Sequence, residues 1–496
     1  MKRRKIDLKA LPAKSGQALD ERFQAATPLR RLLNKVFPDH WSFLLGEVSL
    51  YCFVVLVLTG IYLSLFFSPS QATVTYSGSY GPLRGVEMSQ AYESAIRISF
   101  DVRAGMVMRQ IHHWAALLFI AAITAHLARI FFTGAFRRPR ELNWMIGVTL
   151  LVLAMINGFA GYSLLDDQLS GTGLRIANAI ILSVPVVGTW VSSLLFGGPY
   201  PGPETLNRLF VAHILLVPAL IGVLIAVHLA LVVRHKHTQY PGPGKREDNV
   251  VGQRLWPTYT AKAGGLFFLV ASVLAALGGL AQINAIWVTG PYRQADVSSA
   301  SQPDWYMGWT EGGLRLMPPF EIRAFGFQIP NPFFPGVLLP TVVFGILYVW
   351  PFIEQRVSKT TGEYHLLFRP RDHPIHTGIG VAAFAFIAVM LLAGSSDVIA
   401  VTFGLSVNAV IWTLRTALLV VPPIAGLVAG RLCVELRDRD PDRPRPSTGP
   451  APSTDPTPAA AAPEPSSEPS EPQSELTTGI ERATTGTPAD GRAARP

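Results

Sequence analysis

Residues 112–126 read HHWAALLFIAAITAH, an apolar run with histidines at both ends. Residues 213–228 read HILLVPALIGVLIAVH and repeat this arrangement. Ionisable side chains are rare within membrane-spanning helices, and those that occur there usually serve a function. The two segments therefore predict membrane helices that hold functional histidines.

Helical phase indicates which of these histidines share a face. At 100° per residue, His126 lies about 40° from the direction of His112 but about 140° from that of His113. His213 and His228 lie about 60° apart on the same measure. The two histidines of one helix are separated by about 21 Å along its axis. Two neighbouring helices can therefore bind two haem groups between them, one above the other. A single buried histidine is ordinarily a packing residue, but the matching phase favours ligand pairs, His112 with His213 and His126 with His228.

Two pairs of glycines repeat the 14-residue spacing of the histidines. Gly46 and Gly60 lie in the first apolar run, and Gly147 and Gly161 lie in the third. Glycine lets another group approach the backbone closely, and here that group would be a porphyrin edge at each of two depths. Glycine also mediates ordinary packing of membrane helices, so the agreement with the histidine spacing carries this prediction.

Two arginines flank the histidines of the second run. Arg109 lies three residues before His112, and Arg129 lies three residues after His126. Haem propionates need cationic partners near each membrane face, which predicts that role for both arginines. For Arg129 the alternative is a side chain that reaches the water at the helix end.

The composition indicates a membrane protein. Of 496 residues, 49% are hydrophobic and 15% are charged, whereas a soluble protein carries about a quarter charged residues. Eight apolar runs are long enough to cross a bilayer. They predict an all-α membrane protein with eight transmembrane helices, of which the first four form a dihaem four-helix bundle. The expected spans are about 43–67, 106–133, 144–165, 207–233, 263–288, 336–353, 375–394 and 408–432.

The net charge of +9 comes from basic clusters between the apolar runs. Such clusters mark the cytoplasmic side of a membrane protein, so we expect both chain termini there and no nucleic-acid partner. The chain has two cysteines and no CxxCH motif. The sequence therefore offers no attachment site for a c-type haem and argues against a disulfide framework, so we expect any haem to be held non-covalently.

The sequence divides into four parts. Residues 1–40 form a basic cytoplasmic segment, and residues 41–240 form the dihaem four-helix bundle, with surface helices in 166–206. Residues 241–435 form a C-terminal four-helix region that includes a long loop at 289–335. Residues 436–496 are rich in Pro and Ala, which predicts a disordered cytoplasmic tail because such a segment buries little apolar area.

Two short motifs extend the histidine and glycine pattern. Pro303-Asp304-Trp305-Tyr306 follows the fifth span, and Gly161-Tyr162-Ser163-Leu164 ends the third. Over residues 41–431 the chain resembles cytochrome b of the quinol:cytochrome c reductases, whose loop reads Pro-Glu-Trp-Tyr. The aspartate at this position, RRPRELNW at 137–144, SGTGLR at 170–175 and the Pro/Ala-rich tail resemble the actinobacterial, menaquinol-oxidising form.

The resemblance implies a function and its site residues. A positive-side quinol-oxidation site would consist of Pro303, Asp304, Trp305 and Tyr306, with Asp304 as proton acceptor and Tyr306 and Tyr162 shaping the pocket. The tyrosines have ordinary aromatic packing as their alternative role. One electron would pass to a Rieske protein, and the other would cross two b-type haems, of low and high potential, to a quinone near the cytoplasmic face. This Q cycle would contribute to the proton-motive force.

The resemblance also implies partners and a location. We expect a Rieske iron–sulfur subunit, a cytochrome c subunit, a homodimer and a supercomplex with cytochrome c oxidase. The chain itself would be a multi-pass protein of the bacterial plasma membrane.

The chain departs from the family at both quinone sites. Leu165-Asp166 replaces the family's Pro-Trp after the third span. At the cytoplasmic quinone site Lys262 matches, but the following aspartate is Ala263. His237 and Asp248 are candidates to replace the missing groups, with solvated loop residues as the alternative.

Two other functions fit the buried histidines less well. A dihaem anchor of another quinone-linked oxidoreductase usually has four or five spans and lacks the Pro-Asp-Trp-Tyr loop. A transporter that relays protons through buried histidines would bind no haem and would not need glycines at the same spacing.

Overall fold

A computed structural model describes residues 26–198, 202–296, 302–359 and 361–440. The predicted N-terminal segment lies in part, and the predicted tail almost entirely, outside these residues. Within them, eight helices are long and apolar enough to cross a membrane, which confirms the predicted number of spans. They are Trp41–Ser64, Gly105–Phe132, Glu141–Ser163, Thr205–His235, Leu255–Leu280, Phe334–Ser358, Pro374–Gly394 and Val407–Asp438, called here the first to eighth membrane helices.

The fifth membrane helix differs from its predicted bounds of 263–288. It begins at Leu255 and ends at Leu280, eight residues earlier at each end. Side chains of the second membrane helix bind the chain where it leaves the fifth. Gln110 donates to Ile283 O (2.8 Å) and accepts from Ile283 N (2.9 Å), and Trp114 donates to Ala281 O (2.7 Å). These bonds hold residues 281–284 in a non-helical path, whereas the predicted span continued to residue 288.

The fourth membrane helix begins with an α-helical segment at Thr205–Val211, followed by a wide π-type turn at Ala212–Leu216. His213 lies within this turn. A π turn accommodates one more residue than an α turn does and is frequent at functional sites. The 15-residue spacing from His213 to His228 is therefore equivalent to the 14-residue spacing on the second helix.

The remaining elements are short and lie in the connections. The helices are Ala26–Leu33, Gln90–Phe100, Gln168–Leu182, Gly188–Phe196, Ile286–Thr289, Gly308–Leu316 and Ser396–Phe403, and short 3-10 turns occur at Gly81–Leu83, Trp305–Met307 and Pro370–Asp372. Three antiparallel strand pairs are Val36–Phe37 with Gln253–Arg254, Thr73–Thr75 with Glu87–Ser89, and Ile322–Ala324 with Phe327–Ile329.

Buried arginines join the basic connections at one end of the helices, which we call the basic face (residues 133–140, 236–254 and 361–373). Arg137 donates to Leu366 O (2.7 Å), and Arg140 donates to Tyr364 O (2.7 Å) and to Lys236 O (3.1 Å). Each bond joins two different connections, so this end of the helices is cross-linked by charge-assisted hydrogen bonds. We call the opposite end, with the long connections, the loop face.

A close helix crossing positions the loop that carries the Pro-Asp-Trp-Tyr motif. The helix Gly308–Leu316 follows the motif directly and packs against the seventh membrane helix. A methyl group added at Gly312 would lie 1.9 Å from Met390 O, and one added at Gly394 would lie 2.3 Å from Gly308 O. Glycine is required at both places because the two backbones are in contact.

Candidate functional site

The two histidines nearer the loop face oppose each other across the four-helix bundle. The ring centroids of His112 and His213 are 6.1 Å apart, with an interplanar angle of 76°. Thr59 Oγ1 donates to Val55 O (2.7 Å) and lies 2.9 Å from His112 Nδ1, while His213 Nδ1 lies 2.9 Å from Asn157 O. Both Nδ1 atoms therefore act as donors, which leaves each Nε2 as the nitrogen available to a metal. Ligand histidines are commonly oriented by such second bonds.

The histidines nearer the basic face form a matching pair. The ring centroids of His126 and His228 are 6.5 Å apart, with an interplanar angle of 69°. Two metal–imidazole bonds of about 2 Å each require about 4 Å between the two ligand nitrogens. Centroid distances of 6.1 and 6.5 Å leave room for that separation, since each centroid lies behind its nitrogen. The donor sets of both pairs therefore fit a bis-histidine haem iron.

Each predicted glycine faces the histidine at its own depth. A methyl group added at Gly60 would lie 3.2 Å from His112 Cε1, and one added at Gly161 would lie 2.3 Å from His213 Cε1. The group that approaches these glycines is the imidazole ring of a histidine. The sequence analysis expected a porphyrin edge in this place. Nearer the basic face, a methyl group added at Gly46 would lie 3.0 Å from His126 Cε1. One added at Gly147 would lie 3.9 Å from His228 Cε1.

Arg109 and Arg129, the two predicted propionate partners, differ in the hydrogen bonds that their guanidinium groups already make. Arg109 donates through both terminal nitrogens to Asn284 O (3.1 and 3.2 Å), so it holds the chain that leaves the fifth helix. Arg129 lies over the Phe43 ring, with its guanidinium carbon 4.2 Å from the centroid. Its Nε and Nη2 are buried and have no hydrogen-bond partner within the described residues. Arg129 therefore offers unsatisfied donors one turn beyond His126, as a propionate would require.

A cavity of about 410 Å³ surrounds the pair nearer the loop face. Its wall includes both histidines, and also His113, Tyr162 and Asp304. The Pro-Asp-Trp-Tyr motif thus reaches the same cavity as the candidate haem ligands. Pro303 and the half-exposed Trp305 flank Asp304 on the loop.

The Asp304 carboxylate is held by two side chains. Its Oδ1 lies 2.9 Å from His113 Nε2, and its Oδ2 accepts from Tyr306 Oη at 3.2 Å. Tyr306 is buried, and burial together with the Asp304 carboxylate raises the pKa of its hydroxyl well above the usual value. Tyr306 therefore remains a hydrogen-bond donor. The sequence analysis did not predict the contact with His113. Helical phase indicated only that His113 points away from the other histidines.

The departure at Leu165-Asp166 introduces a buried carboxyl group at the loop face. Burial raises the pKa of Asp166, and Asp166 O accepts from Tyr292 N (3.0 Å). The next residue, Asp167, caps the helix Gln168–Leu182 and accepts from Thr289 Oγ1 (2.8 Å). Asp166, through its backbone carbonyl, and Asp167, through its carboxylate, thus join the end of the third helix to the connection after the fifth.

The three residues predicted for a cytoplasmic quinone site do not meet. Lys262 Nζ pairs with Asp39 Oδ2 at 2.8 Å, and the His237 ring packs on Phe37 with centroids 4.4 Å apart. These two residues thus border the same segment near the N-terminus. Asp248 instead pairs with Arg246 (3.3 Å) on the surface, where its side chain is 75% exposed. Nothing in this geometry places Asp248 with the other two.

His237 is held in its neutral form. Burial, together with the cationic side chains of Lys35, Arg140 and Arg129, lowers its pKa to about 4. Its Nε2 is buried and has no hydrogen-bond partner within the described residues. At neutral pH this imidazole is therefore an uncharged group that can hydrogen-bond a ligand.

An acidic residue that the sequence analysis did not single out lies beside these groups. Glu47 accepts hydrogen bonds from the hydroxyl groups of Tyr51 (3.2 Å) and Tyr259. The Tyr259 ring packs on Phe37, with centroids 4.7 Å apart, so Glu47 connects to the segment that Lys262 and His237 border. An acid inside the first apolar run, next to Gly46, was the signal that could have identified it.

Known proteins share this sequence and fold. Residues 117–291 match the family model described as Cytochrome b(N-terminal)/b6/petB. The cytochrome bc1 complex cytochrome b subunit of Mycobacterium tuberculosis is 53% identical over 429 residues, which cover 86% of this chain and 78% of that protein. The corresponding subunit of Streptomyces coelicolor is 52% identical over 411 residues, which cover 83% and 75%.

A solved structure shares the fold at low sequence identity. It is a chain of a hyperthermophilic respiratory complex III, with a TM-score of 0.60 and 19% identity, covering 84% of this chain and 99% of that chain. The eight membrane helices, the helical phase of the histidines and the relatives at about 50% identity agree. This chain therefore belongs to the family of cytochrome b subunits of cytochrome bc1 complexes.

Proposed function

We propose that this chain is the quinol-oxidising subunit of a respiratory quinol:cytochrome c reductase and that its quinol is menaquinol. The names of its relatives support the assembly, and their predominance in actinobacteria supports the quinone. One observation carries the site assignment: Asp304 and the His112–His213 pair line a single cavity. A proton acceptor and an electron acceptor for quinol would therefore lie side by side.

The residues fit two non-covalent b-type haems. His112 and His213 would hold one haem, and His126 and His228 would hold the other, with Arg129 free to pair with a propionate. When bound, the haems would supply one-electron transfer across the membrane. The four imidazoles are oriented for this by packing on Gly46, Gly60, Gly147 and Gly161 and, nearer the loop face, by hydrogen bonds from Nδ1.

Quinol oxidation requires the removal of protons as well as electrons. The Asp304 carboxylate would accept a proton from a quinol hydroxyl, because it is the acid on the cavity wall. Tyr306 and Tyr162 would shape the pocket around the ring. One electron would leave to a Rieske iron–sulfur subunit, and the other would reach a quinone near the basic face, where Lys262, His237 and Glu47 are candidates to contact it.

The basic connections support an orientation and a set of partners. They favour a cytoplasmic location for the basic face and for both termini in a bacterial plasma membrane. We further propose a Rieske subunit, a cytochrome c subunit, a second copy of this chain and a cytochrome c oxidase as partners. Affinity purification of the tagged chain in mild detergent, with identification of every co-purifying subunit, tests this set.

The choice of haem ligand can be tested at two adjacent histidines. We expect His112→Ala to reduce the haem content from two to one per chain, because an apolar methyl group cannot bind iron. His113→Ala should retain two haems, because its ring points to Asp304. The haem content of the purified protein, measured as the pyridine haemochrome, checks this. Retention of both haems in His112→Ala and loss of one in His113→Ala would reverse the assignment.

The glycine contacts make a graded prediction. A methyl group at Gly161 would overlap the His213 ring, whereas one at Gly147 would lie in ordinary contact with His228. Overpacking of this kind costs about 1–3 kcal/mol, so Gly161→Ala should lower haem content and Gly147→Ala should not. Equal haem content in the two variants would show that these glycines are not needed to leave space for the histidine rings.

The proton-accepting role of Asp304 can be tested by removing its charge. We expect Asp304→Asn to slow quinol oxidation on the order of 100-fold or more and to leave both haems bound, because the amide keeps the size of the carboxylate but cannot take a proton. Steady-state menaquinol:cytochrome c turnover by the purified complex, measured across pH, checks this. Turnover equal to that of the wild type at every pH would rule out the role.

A further inference from the structure

His113 makes a specific contact over a long distance in the sequence. Its Nε2 lies 2.9 Å from Asp304 Oδ1, and the two side chains are each only 15% exposed. The residues are 191 positions apart, on the second membrane helix and on the loop that follows the fifth. Because a carboxylate is an acceptor, the imidazole Nε2–H is the donor.

The partners of Asp304 hold it between two membrane helices. His113 engages one oxygen from the second helix, and Tyr306 engages the other (3.2 Å). The Tyr306 hydroxyl lies against the third helix, since a methyl group added at Gly158 would be 2.4 Å from Tyr306 Oη. The carboxylate is therefore fixed relative to both helices that line the cavity.

His113 directly follows the candidate ligand His112. Adjacent residues of a helix point in directions about 100° apart. One helical turn can therefore direct the His112 ring toward His213 and the His113 ring toward the loop. The same turn thus sets the position of the iron ligand and that of the loop carboxylate. A displacement of about 1 Å at a reacting group can cost 100-fold in rate.

We propose that His113 is a positioning residue for quinol oxidation, which holds the Asp304 carboxylate at a constant place relative to the turn that carries His112. This inference rests on the proposed function. In this role His113 acts through Asp304, whose carboxylate its Nε2 contacts. Among the described residues, the side-chain partners of the Asp304 carboxylate are His113 and Tyr306, so loss of the imidazole leaves it held by Tyr306 alone.

A double-mutant cycle in the purified complex tests the proposal. We expect His113→Leu to lower kcat for menaquinol oxidation by about 10- to 100-fold, with little change in KM and with two haems bound. His113→Gln should recover most of the rate, because its amide N–H reaches the carboxylate. In the Asp304→Asn background, His113→Leu should cause little further loss, since coupled residues are not additive.

A matched control uses the same substitution at a histidine of the seventh membrane helix that contacts the other end of the second helix. His376 Nε2 lies 2.9 Å from Phe131 O near the basic face. We expect His376→Leu to leave kcat and KM for quinol unchanged. If His113→Leu does not assemble, His113→Asn replaces it in the cycle, because the shorter amide stops short of the carboxylate.

Three results would overturn the proposal. The first is a loss of kcat in the double variant equal to the product of the two single losses. The second is a rate for His113→Gln as low as that of His113→Leu with both haems present. The third is a loss of kcat in the His376→Leu control equal to that in His113→Leu. A wild-type complex that did not oxidise quinol would instead refute the proposed function, so the two failures can be told apart.

Discussion

The structure depends on the burial of four imidazoles in a bundle of apolar helices. Burying a polar ring without hydrogen-bond or metal partners is costly, so the surrounding helices must supply partners and space. Thr59 and Asn157 O engage the Nδ1 atoms nearer the loop face, and glycines on the first and third helices make room for the rings. The first four helices are thereby held at the separation that two bis-histidine sites require.

The second membrane helix links this bundle to the loop face. One side of it carries His112 and His126, while Gln110, His113 and Trp114 bind the connection after the fifth helix. The fifth helix therefore ends early, and the chain is directed toward the cavity wall. Asp304 reaches the cavity of the His112–His213 pair next to the second helix, which carries His112 and contacts Asp304 through His113.

Much of this architecture could be predicted from residue pattern. Run length predicted eight spans, and a period of 100° per residue separated His112 from His113, because helix geometry is regular. The spacing of His213 and His228 was harder to interpret. The extra residue reflects a π turn, which depends on local backbone packing and not on apolar periodicity.

The residues that sequence reasoning missed depend on long-range contacts. The bonds that hold the chain at the early end of the fifth helix come from side chains some 170 positions away, which a reading of local apolar runs does not include. The pairing of His113 with Asp304 has the same origin. Glu47 was different, since an acid within an apolar run was visible in the sequence. Asp248 looked equivalent to His237 in sequence, but only His237 folds inward.

We propose that this bundle holds two b-type haems, one at each depth. An anaerobic redox titration of the purified complex, followed by absorbance in the b-haem region, tests it most directly. We expect two separate b-haem transitions of equal amplitude, at a lower and a higher potential, totalling two haems per chain. A single transition from one haem per chain, or no b-haem absorbance at all, would contradict it.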